Sequence, residues 1–295
     1  MFCLIFGPAG SSFWLVPGQL LVQEGKIILG YHALKTTDTS QSLRLDKQLI
    51  AQSFRASAAT YEENATVQRQ ISRQLVTCVQ NLKSLHSARI LEIGCCTGIL
   101  TELLVGQLTI NTLYLNDIVE EFCTTTRERV ASRVVHVESL PGDIEKCVLP
   151  EGLDMIISSA TFQWMADLPA LLARMHQALR ADGYLVFSIF GPGTMGEIRE
   201  LTGRGLSYHT KEDLSRMLRE QFRIISLTSE TRQVFFPTVK EVLRHIRQTG
   251  VGGLDRTQWL PGKFKEFSRQ YRSRFATDSG FPVSYASTFV VAEKI

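Results

Sequence analysis

The chain has 295 residues, of which 44% are hydrophobic and 21% charged, and a formal net charge of +3. That length holds one large α/β domain or two small ones, with a balance ordinary for a globular enzyme. So small a charge does not by itself imply nucleic acid, no run approaches the roughly 18 apolar residues of a membrane span, and the six cysteines show neither a C-x-x-C pair nor metal-ligand spacing. Free thiols in a reducing, cytoplasmic setting are the simplest reading.

Residues 1–34 are apolar but broken by Gly7, Pro8, Gly10, Pro17, Gly18, Gly25 and Gly30. They lack the basic start and clean apolar core of a signal peptide. Stretches 13–16, 19–22 and 26–29 read as short strands and 36–42 as a polar linker. Residues 1–44 are therefore expected to be an appendage, or an upstream extension of the reading frame, and 45–295 the working domain.

From Leu45 the pattern turns helical, with Leu49, Ile50 and Phe54 on one face. A second helix over 64–85 spaces Val67, Ile71, Leu75, Val79 and Leu82 by threes and fours. Helices ahead of the first strand can cover a ligand on the sheet edge, with Phe54 and Tyr61 lining it; the plainer reading makes both helix-packing aromatics.

Residues 89–101 are the centre of the pattern. Ile90, Leu91 and Ile93 form a short apolar run, Gly94-Cys-Cys-Thr-Gly98 a turn, and 99–105 a helix, which reads as a buried parallel strand turning tightly. Glycines there permit positive φ and let a ligand approach the backbone. An ordinary turn with glycines for packing is the alternative.

The second strand, over 111–118, ends at Asn116-Asp117, 19 residues past Gly98. An acid at that distance accepts hydrogen bonds from ribose hydroxyls. A helix over 119–131 and a strand over 134–138 lead to Pro141-Gly-Asp-Ile-Glu145, where Asp143 suits the exocyclic amine of a purine and Ile144 its face. Strand 153–159, helix 168–179, a C-cap and turn at Asp182-Gly183, and strand 184–190 follow. Helix 211–220, strand 222–228 and an antiparallel last strand over 285–292 complete a doubly wound, mostly parallel α/β sheet.

Two cofactor classes share this layout. A dinucleotide fingerprint wants G-x-G-x-x-G, whereas the turn offers G-x-x-x-G. Glu92, two residues before Gly94, repels a pyrophosphate but suits a cationic amino group. Glu92, Asp117 and Asp143 together make an acidic rim fit for a sulfonium amino acid nucleoside.

At this point the chain resembles the class I S-adenosylmethionine-dependent methyltransferases, through 92–98, Asn116-Asp117, Gly142-Asp-Ile-Glu145 and 158–164. More narrowly, 54–61, 158–164, 190–208 and 243–250 resemble the carrier-protein O-methyltransferases that act on malonyl groups in biotin synthesis. The resemblance covers roughly 45–295. It implies a Rossmann-like seven-stranded sheet with an antiparallel edge hairpin, S-adenosylmethionine as cofactor, and a site of Glu92, Gly94, Cys96, Gly98, Asn116, Asp117, Asp143, Ile144 and Ser159. One departure is Cys96, where the family usually has glycine; a Cβ there costs about 1 kcal/mol if the position needs positive φ.

Residues 237–282 form a helical insert before the last strand. Between Lys240 and Arg274 it carries nine Lys or Arg against three acids, a net +6, which reads as a solvated face or as a dock for an acidic acyl carrier protein. A carboxylate acceptor is ionised at neutral pH, so no catalytic base is expected, only positioning. Arg244 and Arg247, with His245 weaker, are the candidate carboxylate clamp, and Tyr61 and Trp164 the walls. Expected, then, is methyl transfer to the carboxyl of a malonyl-carrier protein, with neither nucleic acid nor membrane as partner. The alternatives are a methyltransferase of free small acids and a cofactor-binding protein without turnover.

Overall fold

A computed structural model of the chain describes residues 5–6, 12–13, 20–23, 26–29, 45–80, 82, 85, 88–249 and 261–295. It divides into two compact units, Met1–Gln41 and Ser42–Ile295. In the first, β1 (Ile5–Phe6) pairs antiparallel with β2 (Ser12–Phe13), and β3 (Leu20–Gln23) with β4 (Lys26–Leu29). The strand expected at 26–29 is thus present. Residues 14–16 of the first expected strand, and the expected linker at 36–42, lie outside the described residues.

The second unit begins with α1 (Lys47–Asn64), capped by Asp46, whose carboxylate accepts from Gln48 and Leu49 N–H at 2.9 and 3.1 Å. At Ala65 (φ −80°, ψ 45°) the chain leaves helical geometry. It resumes as α2 (Thr66–Gln80), whose inward stripe is Val67, Ile71, Leu75 and Val79. This helix ends five residues before the 85 expected from its spacing.

The sheet follows as β5 (Ala88–Ile93), α3 (Ile99–Val105), β6 (Ile110–Asp117), α4 (Glu120–Val130), β7 (His136–Pro141), β8 (Leu153–Ser159), α5 (Leu168–Ala178) and β9 (Leu179–Phe190). Then come α6 (Gly196–Thr202), α7 (Lys211–Leu218), β10 (Phe222–Phe236), α8 (Val239–Gln248), α9 (Pro261–Phe275) and β11 (Phe281–Lys294). The seven strands lie in the order β10-β11-β9-β8-β5-β6-β7. All neighbours are parallel except β11, which runs antiparallel to both β9 and β10. The doubly wound sheet with an antiparallel edge is as the sequence led us to expect.

β5 sits between two parallel partners, which is why its apolar run is almost unbroken. Successive residues face opposite layers. Ile90 packs with Val67, Ile71 and Leu75 of α2, whereas Leu91 and Ile93 pack with Leu171 and Met175 of α5.

Further boundaries differ from the sequence reading, β7 among them, which runs over 136–141 and not 134–138. Asp182 and Gly183 form no turn after a helix: they lie inside β9 as a bulge. Leu153 pairs with Leu179 but Met155 with Tyr184, and Asp182 takes φ 60° to absorb the extra residues. The last two strands are also much longer than their apolar runs, because β10 and β11 pair along nearly their whole length from Phe222↔Lys294 to Phe236↔Phe281. The basic segment with α8 and α9 is the connection of that long hairpin. Its expected break at 250–253 lies outside the described residues. No helix among the described residues is long and apolar enough to cross a membrane.

Candidate active site

A cleft opens where β5, β6, β7 and β8 end. This is the crevice at the carboxyl ends of parallel strands where α/β sheets hold ligands. Its floor is Ile93, Gly94 and Cys96, one side is Asn116, Asp117 and Ile118, and another is Gly142, Asp143 and Ile144. Ser159, Ala160 and Thr161 close the far side, with Trp164 and Met165. α1 lies across it, contributing Lys47, Ile50, Phe54 and Tyr61 from one helical face.

The turn after β5 owes its shape to internal hydrogen bonds. The N–H groups of Gly94 and Cys95 both donate to the Asn116 carbonyl at 2.8 and 2.9 Å, and Gly98 N–H donates to the Cys95 carbonyl at 2.9 Å. Cys96 N–H donates to Asp117 Oδ2 at 2.9 Å. These N–H groups are therefore engaged within the protein, unlike those of a phosphate-cradling loop. Gly94 takes φ 75°, and a Cβ on it would stand 2.1 Å from Thr161 Oγ1, so this glycine serves chain packing as well as backbone freedom. It also lines the cleft, so the steric reason stands beside the expected approach of a ligand to the backbone. Gly98, at φ 92°, caps α3 against Thr126 and does not line the cleft.

Cys96 lines the cleft at φ 47°, the left-handed region that favours glycine. The family departure noted from the sequence therefore carries backbone strain of about 1 kcal/mol. Its thiol meets the Tyr61 hydroxyl and is pushed well up, first by burial and then by Asp117. Burial likewise raises Tyr61. Both groups are neutral walls.

Asp117 is 7% exposed at the end of β6. Its Oδ1 accepts from Val119 N–H at 2.8 Å while Oδ2 accepts from Cys96, leaving a lone pair on each oxygen for hydroxyl donors. Burial outweighs these bonds and pushes the carboxyl up to about 6. Asn116 Nδ2 donates to the Leu140 and Gly142 carbonyls at 2.8 and 3.0 Å, which fixes the loop carrying Asp143 and Ile144. Asp143 accepts from Lys47 Nζ at 3.0 Å, and Glu145 lies 2.7 Å from the same ammonium. This ion pair ties the start of α1 to the cleft. Lys47 gave no sequence signal beyond its place at a helix start.

Glu92 does not line the cleft. It follows Leu91 by one residue on β5, so it faces the opposite layer, where Oε2 accepts from the Thr101 hydroxyl at 2.7 Å and Oε1 has no partner. Burial pushes it up to about 8, partly offset by Thr101. An acidic rim of three carboxylates therefore reduces to Asp117 and Asp143.

The aromatic residues assemble beside the cleft. Phe54 meets Trp164 edge-on at 5.9 Å and Tyr61 at 6.5 Å. The expected clamp does not. Arg244 and Arg247 line a separate open groove with Lys240, Leu243 and Phe264. α8 docks through Val239, Val242 and His245, which turns positions 240, 244 and 247 to the outside. The apolar spacing of that helix already carried this signal. His245 is 5% exposed, with Nε2 2.9 Å from Tyr285 Oη, and borders neither cavity. No cluster of His, Cys, Asp or Glu among the described residues is arranged to hold a metal.

Comparison with known proteins agrees with this geometry. A methyltransferase domain model matches residues 91–187. Malonyl-acyl-carrier-protein O-methyltransferases of Chlorobium phaeovibrioides and Acinetobacter baylyi are each 35% identical over 257 residues. The matches cover 84% and 85% of this chain and 97% and 98% of theirs. The chain belongs to the malonyl-acyl-carrier-protein O-methyltransferase family. A relative named likewise from Prosthecochloris aestuarii is 36% identical over 255 residues. Among solved structures, a putative methyltransferase of Haloferax volcanii, in complex with its activator, has a TM-score of 0.56 at 12% identity. That match covers 83% of this chain and 97% of the other, and a putative methyltransferase of Bacillus halodurans gives 0.52 at 15% identity, covering 74% and 96%. At those identities the family likeness extends to the fold alone.

The cleft of this methyltransferase-family chain fits S-adenosylmethionine on its own chemistry. Asp117 has acceptor capacity left for ribose hydroxyls, Ile118 and Ile144 offer apolar faces for a flat ring, and the engaged N–H groups of the turn offer nothing to a pyrophosphate.

Proposed function

We infer that this chain transfers a methyl group from S-adenosylmethionine to the free carboxyl of a malonyl-acyl-carrier protein. The observation that carries this beyond the family match is the acid-edged, aromatic-walled cleft whose turn has the N–H groups of Gly94, Cys95, Cys96 and Gly98 engaged within the protein. The cofactor, when bound, supplies an electrophilic methyl on a sulfonium. The acceptor carboxylate is ionised at neutral pH, so no proton has to be removed and no side chain serves as a base. What the chain contributes is orientation and exclusion of water. Gly94, Cys96, Asn116, Asp117, Asp143, Ile144 and Ser159 form the cofactor side, and Tyr61 and Trp164 separate it from the acceptor. The ester so formed masks the malonyl charge, which suits a primer for pimeloyl assembly in biotin synthesis.

The carrier protein is the macromolecular partner. We assign its docking to the outer face of the basic insert, where Lys240, Arg244 and Arg247 flank an open groove beside Phe264. Supporting this, the other exposed arginines include several with acids nearby, such as Arg269 with Glu266 and Arg274 with Glu200, whereas these three cations have no ion pair among the described residues. We further propose residues 45–295 as the methyltransferase domain, 1–44 as an appendage, and the cytoplasm as its location. Incubation with labelled cofactor and malonyl-carrier protein, beside malonyl-coenzyme A and free dicarboxylic acids, tests the reading. Labelling of the free acids alone would sink it.

A further inference from the structure

Beyond Tyr61 and Trp164 the cleft continues into a second, smaller cavity that shares Phe54, Tyr61, Ala160 and Trp164 with the first. Its remaining walls include Phe190, Met195 and Leu206, and no charged side chain lines it among the described residues. The described lining of this cavity is thus neutral, without the ionic clamp that a carboxylate acceptor first suggests.

Its polar walls divide into two groups. Thr194 and Thr249 donate to the Ala286 and His245 carbonyls, and Gln163 to the Ala160 carbonyl, so these are engaged by the protein. Gln68 and Tyr208 are not. Gln68 is 7% exposed on the inward side of α2, its Oε1 is enclosed without a partner, and its amide makes no hydrogen bond among the described residues. The enclosed oxygen is an acceptor and gains nothing from an anion; what Gln68 offers a carboxylate is its Nε2, whose two N–H donors have no acceptor among the described residues. Burial pushes the Tyr208 phenol up to about 12, partly offset by the charge of Arg199 behind the Leu206 wall, so it is a hydrogen-bond donor at neutral pH.

We propose that Gln68 and Tyr208 receive the acceptor carboxylate, as a clamp of neutral donors in an apolar pocket. This rests on the malonyl-carrier reading and deepens it. The transfer joins an anion to a sulfonium and leaves two neutral products, so charge is dispersed on the way to the transition state. A guanidinium beside the carboxylate stabilises the charged ground state and blunts the attacking oxygen. Neutral donors orient the carboxylate while the apolar walls keep it free of water, which favours the transition state over the reactants. Arg244 and Arg247 are then free for docking, away from the reacting oxygen.

The test uses the full chain as wild type, Gln68→Leu and Tyr208→Phe. Measured are kcat/KM with malonyl-carrier protein, cofactor affinity by calorimetry, and the melting temperature without ligand. Each variant is expected to lose about tenfold or more in kcat/KM, the value of one hydrogen bond to a charged group, with cofactor affinity unchanged. Gln68→Leu is also expected to melt higher than wild type, because it removes an unsatisfied buried amide. Full activity in both variants, or cofactor affinity falling in step with activity, overturns the clamp while leaving the function intact. A wild-type protein that does not methylate malonyl-carrier protein overturns the function and the clamp with it.

Discussion

Replacing Glu92 by glutamine removes a carboxyl that folding strips of water. The side chain is 1% exposed, one oxygen accepts from Thr101 at 2.7 Å and the other has no partner. Burial pushes it from 4.5 up to about 8, with Asp117 adding to the rise and Thr101 opposing it. Between those values the folded chain holds a proton that the unfolded chain has released. The contribution to stability is thus fully present below 4.5 and is lost as pH rises through about 8. Each pH unit in that window is worth about 1.4 kcal/mol, so the penalty grows by about 3 kcal/mol between about pH 5 and pH 7. Glutamine keeps an acceptor for Thr101 and carries no charge. Urea denaturation of the cofactor-free Glu92→Gln variant should show close to wild-type stability at the lower pH and a gain of about 3 kcal/mol at the higher one. The same gain at both pH values, or a loss at pH 7, would refute burial as the cause.

Other perturbations read the remaining parts of the site. Asp117→Ala should weaken cofactor binding about tenfold or more, through lost charged hydrogen bonds worth about 1.5–3 kcal/mol; unchanged affinity in calorimetry would remove Asp117 from the site. Because burial raises Asp117 to about 6, wild-type affinity for the cationic cofactor should strengthen as pH rises through that value and then level off, and a flat profile would contradict an ionised Asp117 in the complex. Reversing charge at Lys240, Arg244 and Arg247 together should raise KM for malonyl-carrier protein far more than for malonyl-coenzyme A, and equal effects on the two would argue against docking on α8. Cys96→Gly relieves left-handed strain of about 1 kcal/mol and should raise the melting temperature. A lower one would mean that the thiol's packing under Tyr61 outweighs the strain.

The sequence by itself determined the succession of the seven sheet strands and of most helices between them, though not α6. It also determined the turn at Gly94, Asp117 at the second strand's end and the aromatic cover from α1, because each follows from local spacing. Periodicities of two and 3.6 residues and the chirality of βα crossovers leave little freedom to such a pattern. Only the tertiary structure decided which of two neighbouring β5 residues faces the cleft. Ile93 lines the cleft, whereas Glu92 is turned into the α2 and α3 layer, since the facing of a strand depends on which helices pack against it. The same holds for α8, where docking through Val239, Val242 and His245 sends the arginines outward to a surface groove. The empty hydrogen-bonding capacity of Gln68 was equally invisible. Being unsatisfied is a property of the residues that converge on a side chain from α1, β9 and the 206–208 loop, and no spacing within one helix records it.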